Sequence, residues 1–82
     1  MTIGSVVLYH YIMMSTQTHV RYRIRELRKA AGFTQSELAR QLGVVRHVIN
    51  DYESDRYRPT AARAAALCAI LKCTIGELMV ID

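Results

Sequence analysis

The stretch from Thr34 to Asp55, TQSELARQLGVVRHVINDYESD, constrains this chain more than any other. Thr34-Gln35-Ser36-Glu37 has the spacing of a capping box: the Thr34 hydroxyl can accept from the Glu37 backbone N–H while the Glu37 carboxylate accepts from the Thr34 N–H, which starts a helix. Leu38, Ala39 and Leu42 give that helix an apolar stripe. Gly43 supplies the left-handed backbone that ends it and turns the chain. A second helix is expected about two residues later. Its apolar positions are Val45, Val48, Ile49 and Tyr52, which leaves Arg46, His47, Asn50 and Asp51 on the opposite side with hydrogen-bonding tips facing out.

The rest of the pattern is also helical. Helix 1 is predicted over about Val20 to Ala31, with Val20, Ile24, Leu27 and Ala31 on one stripe, Thr18 as a candidate N-cap and Gly32 at its end. After the loop Ser54-Asp55-Arg56-Tyr57-Arg58-Pro59, Thr60 caps a fourth helix, whose Ala-rich run to Leu71 has high intrinsic propensity. Thr74-Ile75-Gly76-Glu77 is a second capping box and opens a short fifth helix, with Leu78 as its core anchor. Upstream, Ser15 to His19 reads as a polar linker, and Val6 to Ile12 has the β-branched and aromatic content of a strand. The apolar run Ile3 to Met14 is too short to span a bilayer and holds His10 near its middle. It reads either as a strand that pairs with its copy in a second subunit, or as a loosely ordered upstream extension with Met13 or Met14 as the true start. The second reading is preferred, because termini that are not tied down are usually mobile. The expected organisation is an extension and linker over residues 1–19, strand-like in part, and one all-α domain of five helices over residues 20–80.

Taken in register, Ile24-Arg25-Glu26-Leu27-Arg28, Gly32-Phe33-Thr34-Gln35, Glu37-Leu38-Ala39, Leu42-Gly43-Val44, Ile49, Tyr52-Glu53, Pro59, Leu67 and Glu77-Leu78 resemble the lambda-repressor-like (Xre/Cro-type) helix-turn-helix family. The resemblance covers nearly the whole chain from residue 20, with the helix-turn-helix motif at about 34–53. It implies a five-helix DNA-binding fold and a sequence-specific transcriptional regulator. It also implies that Gln35, at the start of helix 2, holds a phosphate oxygen, and that Arg28 of helix 1 pairs with Glu53 at the end of helix 3. Three positions depart from the family pattern. Val45 stands where Ser or Thr usually caps helix 3, a loss of about 1 kcal/mol. Asp55 and Lys72 stand where glycine is common, and Asp tolerates the left-handed backbone only at a cost.

Length and charge set outer limits. A chain of 82 residues has room for one small core and argues against a large enzyme cleft. The net charge of +4 suits an anionic partner, and residues 1 to 20 contain no Lys, Arg, Asp or Glu, so all of it lies in the domain. Arg21, Arg23, Arg25, Arg28 and Lys29 crowd helix 1, where a solvated face is an equally good reading, and Arg56 and Arg58 flank the end of helix 3. No paired carboxylates, Cys-His couple or phosphate loop supports catalysis, so no enzyme is expected. Cys68 and Cys73 form neither a disulfide framework nor a metal site, and no motif calls for a cofactor or a small-molecule ligand. Reduced thiols and the lack of a signal-peptide pattern fit a cytoplasmic address.

Readout of the DNA major groove needs long or forked side chains near the N-terminal end of a helix. Arg46 is the leading candidate, since a guanidinium can bond guanine O6 and N7 together. His47 can donate to the same acceptors or to a phosphate, Asn50 suits adenine, and Asp51 can accept from cytosine N4 or else cap local structure or repel wrong sites. Gln35, Ser36, Arg40, Arg56 and Arg58 are the candidate phosphate contacts. The expected partner is double-stranded DNA, bound by a homodimer on a pseudo-palindromic operator, with Leu78, Met79, Val80 and Ile81 of the C-terminal helix as the dimer contact. With no effector domain, control would act by operator occupancy. The rival class is a protein-interaction module of the same fold, such as an antitoxin-type subunit. Such a module should carry exposed Leu, Phe or Met on helix 3, where Arg, His, Asn and Asp stand instead.

Overall fold

The computed structural model describes residues 20–81. A short strand β1 (Val20–Tyr22) leads into five helices: α1 (Ile24–Ala30), α2 (Gln35–Leu42), α3 (Arg46–Glu53), α4 (Ala61–Leu71) and α5 (Ile75–Leu78). Strand β2 (Met79–Ile81) then returns antiparallel to β1, with Val20 opposite Ile81, Arg21 opposite Val80 and Tyr22 opposite Met79. The fold is the five-helix arrangement expected from the sequence, closed at its two ends by this ribbon.

Local chemistry explains where the helices begin. At α2 the Thr34 hydroxyl accepts from Glu37 N at 3.0 Å, and Glu37 Oε1 accepts from Thr34 N at 2.8 Å. The α5 box repeats this at Thr74 and Glu77, with 3.1 and 2.8 Å. Thr60 opens α4 by accepting from Arg63 N at 3.2 Å. Helix α3 starts at Val45 with no side-chain cap, as its sequence requires, and Val45 is 69% exposed, so it lies outside the buried stripe that the helical period assigned it. Gly43 closes α2 at φ 80°. Asp55 (φ 60°) and Lys72 (φ 55°) adopt the same left-handed backbone without being glycine.

The core joins all five helices: Ile24 from α1, Leu38 and Ala39 from α2, Ile49 and Tyr52 from α3, Ala64, Leu67 and Leu71 from α4, and Leu78 from α5. Tyr52 keeps its hydroxyl satisfied by accepting from the Arg63 guanidinium at 3.0 Å. Cys68 and Cys73 are partly buried free thiols. Burial and the neighbouring Cys68 push the Cys73 thiol up to about 11.

Two sequence expectations are corrected at the chain ends. Helix 1 does not begin at Val20: residues 20–22 are extended, and α1 starts at Ile24 after an Arg23 that offers no side-chain cap. Val20-Arg21-Tyr22 satisfies either period, and the pairing with β2 decides between them, locked by Arg23 N donating to Leu78 O at 2.8 Å. Ala31 is exposed and not part of the inner stripe. Likewise the C-terminal helix ends at Leu78, and Met79, Val80 and Ile81 form the partner strand. The strand expected at Val6 to Ile12, and Thr18, lie outside the described residues. Among the described residues, no helix is long and apolar enough to cross a membrane.

The left-handed Lys72 generates a test. Lys72→Gly should stabilise the domain by roughly 0.5 to 1 kcal/mol, the relieved strain of about 1–2 kcal/mol less the entropy that glycine forfeits on folding. Thermal unfolding would register it as a higher midpoint.

Candidate nucleic-acid interface

The outward end of α3 is assembled around one carboxylate. Glu53, in the last turn of α3, has a side chain that is 0% exposed. Arg28 of α1 donates to it twice, Nε to Oε2 at 2.6 Å and Nη2 to Oε1 at 3.2 Å, in the bidentate geometry that makes arginine–carboxylate pairs strong. The remaining guanidinium nitrogen of Arg28, Nη1, donates to the Phe33 carbonyl at 2.8 Å. Arg25, one turn earlier on α1, reaches Glu53 Oε1 at 3.4 Å, and Gln35 at the start of α2 donates Nε2 to the same oxygen at 3.0 Å. Burial alone would push the Glu53 carboxyl up, but the donors from Arg28, Gln35 and Arg25 outweigh it and hold the group below its ordinary value of 4.5.

The network continues to the surface. Gln35 Oε1 accepts from Arg46 Nη1 at 2.8 Å, and its Nε2 also lies 3.4 Å from Asn50 Oδ1. The first residues of α2 and α3 are thereby tied together, and Arg46 is held at the exposed N-terminal end of α3. His47 lies beside it with its side chain 72% exposed, and Asn50 is half-buried one turn further on. Ser36 and Arg40 are exposed on α2, and Arg56 and Arg58 are exposed on the loop after α3.

Asp51 is the correction at this site. It was expected to face out with the other polar residues of α3, yet its side chain is only 7% exposed. The helical period places it beside His47, on the flank of the wheel. The loop then folds back over it, with the backbone N–H groups of Arg56 and Tyr57 donating to the Asp51 carbonyl at 3.0 and 3.4 Å. It is not positioned to accept from a base. Leu78 is likewise corrected as a dimer contact, because it is 0% exposed in the core of its own subunit.

Sequence reasoning missed one member of the network and one of its bonds. Arg25 is given no pairing role by the sequence, although its spacing of three from Arg28 places both on one face of α1. The bond from Arg46 to Gln35 has no local signal, since it joins two helices through their packing angle.

Three carboxylates generate a prediction about acid. Hydrogen bonds from Thr34 and Thr74 hold Glu37 and Glu77 low, as the arginine network holds Glu53. A carboxyl whose folded value is depressed stabilises the fold above its unfolded value and loses that contribution as pH falls through the folded one. Stability should therefore decline on acidification below about pH 4.5, and less steeply in Glu53→Gln. At neutral pH, Glu53→Ala should cost on the order of 3 kcal/mol, because Arg28 is left buried without its partner. Denaturant titration from pH 7 to pH 3 measures both, and a Glu53→Ala protein as stable as the parent would contradict the role assigned to the pair.

This geometry sits within a known pattern. Residues 24–78 match the family model of the helix-turn-helix domain. An HTH-type transcriptional regulator of Archaeoglobus fulgidus, itself uncharacterised, is 36% identical over 63 residues, 77% of this chain and 90% of the relative. Among solved structures, the P22 c2 repressor in complex with a synthetic operator superposes with a TM-score of 0.61 at 30% identity, over 65% of this chain and 80% of that one. The biofilm master regulator SinR, in complex with DNA, gives 0.60 at 28% identity, over 65% and 86%. The matched span takes in all five helices and the Glu53 network between α1, α2 and α3, and the chain belongs to the helix-turn-helix family.

Proposed function

We propose that this protein is a transcriptional regulator that binds double-stranded DNA through the major groove, with α3 as its reading helix. The observation that carries the reading is the outward end of α3: Arg46 and His47 are exposed there, Arg46 is tethered by Gln35, and the cations Arg40, Arg56 and Arg58 stand exposed on the neighbouring helix and loop. The family's regulators and the DNA-bound relatives support it. Arg46 is the main base reader, Asn50 and His47 lie within the same face, and the exposed cations with the N-terminal turn of α2 at Gln35 and Ser36 take phosphates. A protein-interaction module would present large apolar side chains on this face, and the exposed apolar residue here is Val45 at the helix start.

The regulator acts as a homodimer on a pseudo-palindromic operator and controls transcription by occupancy, as a repressor. One reading helix contacts only a few base pairs, and a twofold pair would place two helices about 34 Å apart. The surface best suited to this is one face of the terminal ribbon. Cross-strand partners share a face, so Val20, Tyr22, Met79 and Ile81 lie together, and Tyr22 and Met79 border an apolar groove of about 620 Å³ that continues over Pro59 and Ile75. Met79 and Ile81 lie on this face, Val80 points to the other, and Ile81 is 68% exposed.

Arg46→Ala should cost about 1 to 3 kcal/mol on the preferred site and relax preference at one base position, with nonspecific binding little changed. Selection from a random DNA pool, followed by titration of the chosen site, measures both, and an equal loss on every sequence would make Arg46 a phosphate contact. Salt tests the function class. With Arg40, Arg56 and Arg58 of both subunits on phosphates, affinity should fall about a thousandfold between about 50 and 200 mM salt. A complex that ignores salt belongs to an apolar protein interface instead.

Sedimentation tests the assembly. Ile81→Glu changes an exposed residue and should give monomers, whereas removal of residues 1–13 should leave the dimer intact. The reverse pattern would move the interface to the N-terminal segment.

A further inference from the structure

The Glu53 network has a side branch at Asn50. Gln35 Nε2 carries two protons: one goes to Glu53 Oε1 at 3.0 Å and the other to Asn50 Oδ1 at 3.4 Å, while Gln35 Oε1 accepts from Arg46 Nη1 at 2.8 Å. This amide can lie only one way round. A guanidinium has donors and no acceptor, so it must meet the oxygen, and an ionised carboxylate has acceptors and no donor, so it must meet the nitrogen. Glu53 is ionised at neutral pH, since burial raises its carboxyl but the donors from Arg28, Gln35 and Arg25 hold it below 4.5. The polarity then passes on: with Nε2 fixed as a donor, the atom of Asn50 beside it must be the acceptor, Oδ1. Nδ2 stands on the other edge of the same planar group and has no protein partner among the described residues. Asp51 Oδ1 is the one side-chain polar atom buried there without a partner, so Asn50 Nδ2 is open to water. Asn50 lies one helical turn after Arg46, on the same side of α3.

We propose that Gln35 is a positioning residue for Asn50: it holds the carboxamide with Oδ1 inward, so that Asn50 offers the groove a donor, Nδ2, and no acceptor. The inference rests on the DNA-binding reading above. A carboxamide reads adenine with both of its atoms, the oxygen accepting from N6 and the nitrogen donating to N7. With Oδ1 turned to Gln35, the amino group of adenine N6 has no acceptor to meet, and neither has that of cytosine N4. Guanine O6 and N7 and thymine O4 can all accept from Nδ2. Residue type alone pairs Asn50 with adenine, and the network moves it to the keto bases. A buried glutamate at the far end of α3 thus sets, through one glutamine, which bases an asparagine on the groove side can accept.

Two measurements on the full chain test this. Side-chain amide exchange, followed by NMR at neutral pH without DNA, should find the Gln35 protons protected and the Asn50 protons exchanging freely. Selection from a random DNA pool should find guanine or thymine favoured over adenine and cytosine by roughly fivefold at the one position that Asn50→Ala relaxes. Gln35→Ala releases the carboxamide to turn and should admit adenine at that position, whereas a purely structural role for Gln35 would lower affinity without changing the base chosen there. Protected Asn50 protons beside freely exchanging Gln35 protons overturn the proposal. So does adenine or cytosine selected by the parent at that position, an Asn50→Ala protein that selects the parent's operator, or a folded Gln35→Ala protein that keeps the parent's choice. Both measurements on the parent decide the matter even if Gln35→Ala fails to fold. If the parent bound no DNA, the function and this inference would fall together, while a reversed exchange pattern in a protein that does bind DNA would fault the amide orientation alone.

Discussion

The buried carboxylate of Glu53 is the constraint on which the packing of α1, α2 and α3 at this end of the molecule depends. It lies at the end of α3, receives two arginines from α1 and one amide from α2, and is covered completely by them. Such a group has a narrow range of acceptable geometries, because every donor lost leaves charge unmatched in a place water does not reach. The angle between α2 and α3 is therefore set by hydrogen bonds as well as by the apolar contacts of Leu38, Ala39 and Ile49. Net stabilisation from a buried pair is small once desolvation is counted. Its contribution is geometric, since it fixes one orientation of α3 over others.

From Glu53 the same network runs outward through Gln35 to Arg46. Arginine is a flexible side chain, and under the proposed function holding Arg46 in advance would lower the entropy lost when it binds. The buried end of the network orders the helix, and the exposed end holds Arg46. Gln35 joins the two, with its carbonyl oxygen engaged by Arg46 and its amide nitrogen by Glu53.

The terminal ribbon has a different logic. Two strands of three residues are marginal alone, and here they are held because β2 continues directly from the Leu78 core anchor while the Arg23 backbone binds the Leu78 carbonyl. Pairing of the two ends closes the five-helix array and leaves an apolar face of Val20, Tyr22, Met79 and Ile81 on the side of the molecule built by α4 and α5.

The helix starts, the glycine turn and the polar face of α3 were legible in the chain because each is written within a few residues. Thr34 with Glu37 and Thr74 with Glu77 close their boxes over one turn, Gly43 supplies its own backbone geometry, and the period of α3 brings Arg46, His47 and Asn50 near one face. The pairing of Arg28 with Glu53 followed from the family resemblance. What only the tertiary structure decided involves residues far apart or surfaces covered by something else. Val20 to Tyr22 fits a helix until Met79 to Ile81, at the other end of the chain, offers it a strand partner. Asp51 belongs to an outward polar set until the loop after α3 folds over it. Local sequence carries backbone preference, but burial and strand pairing are properties of neighbours in space, and those neighbours exist only once the chain has closed.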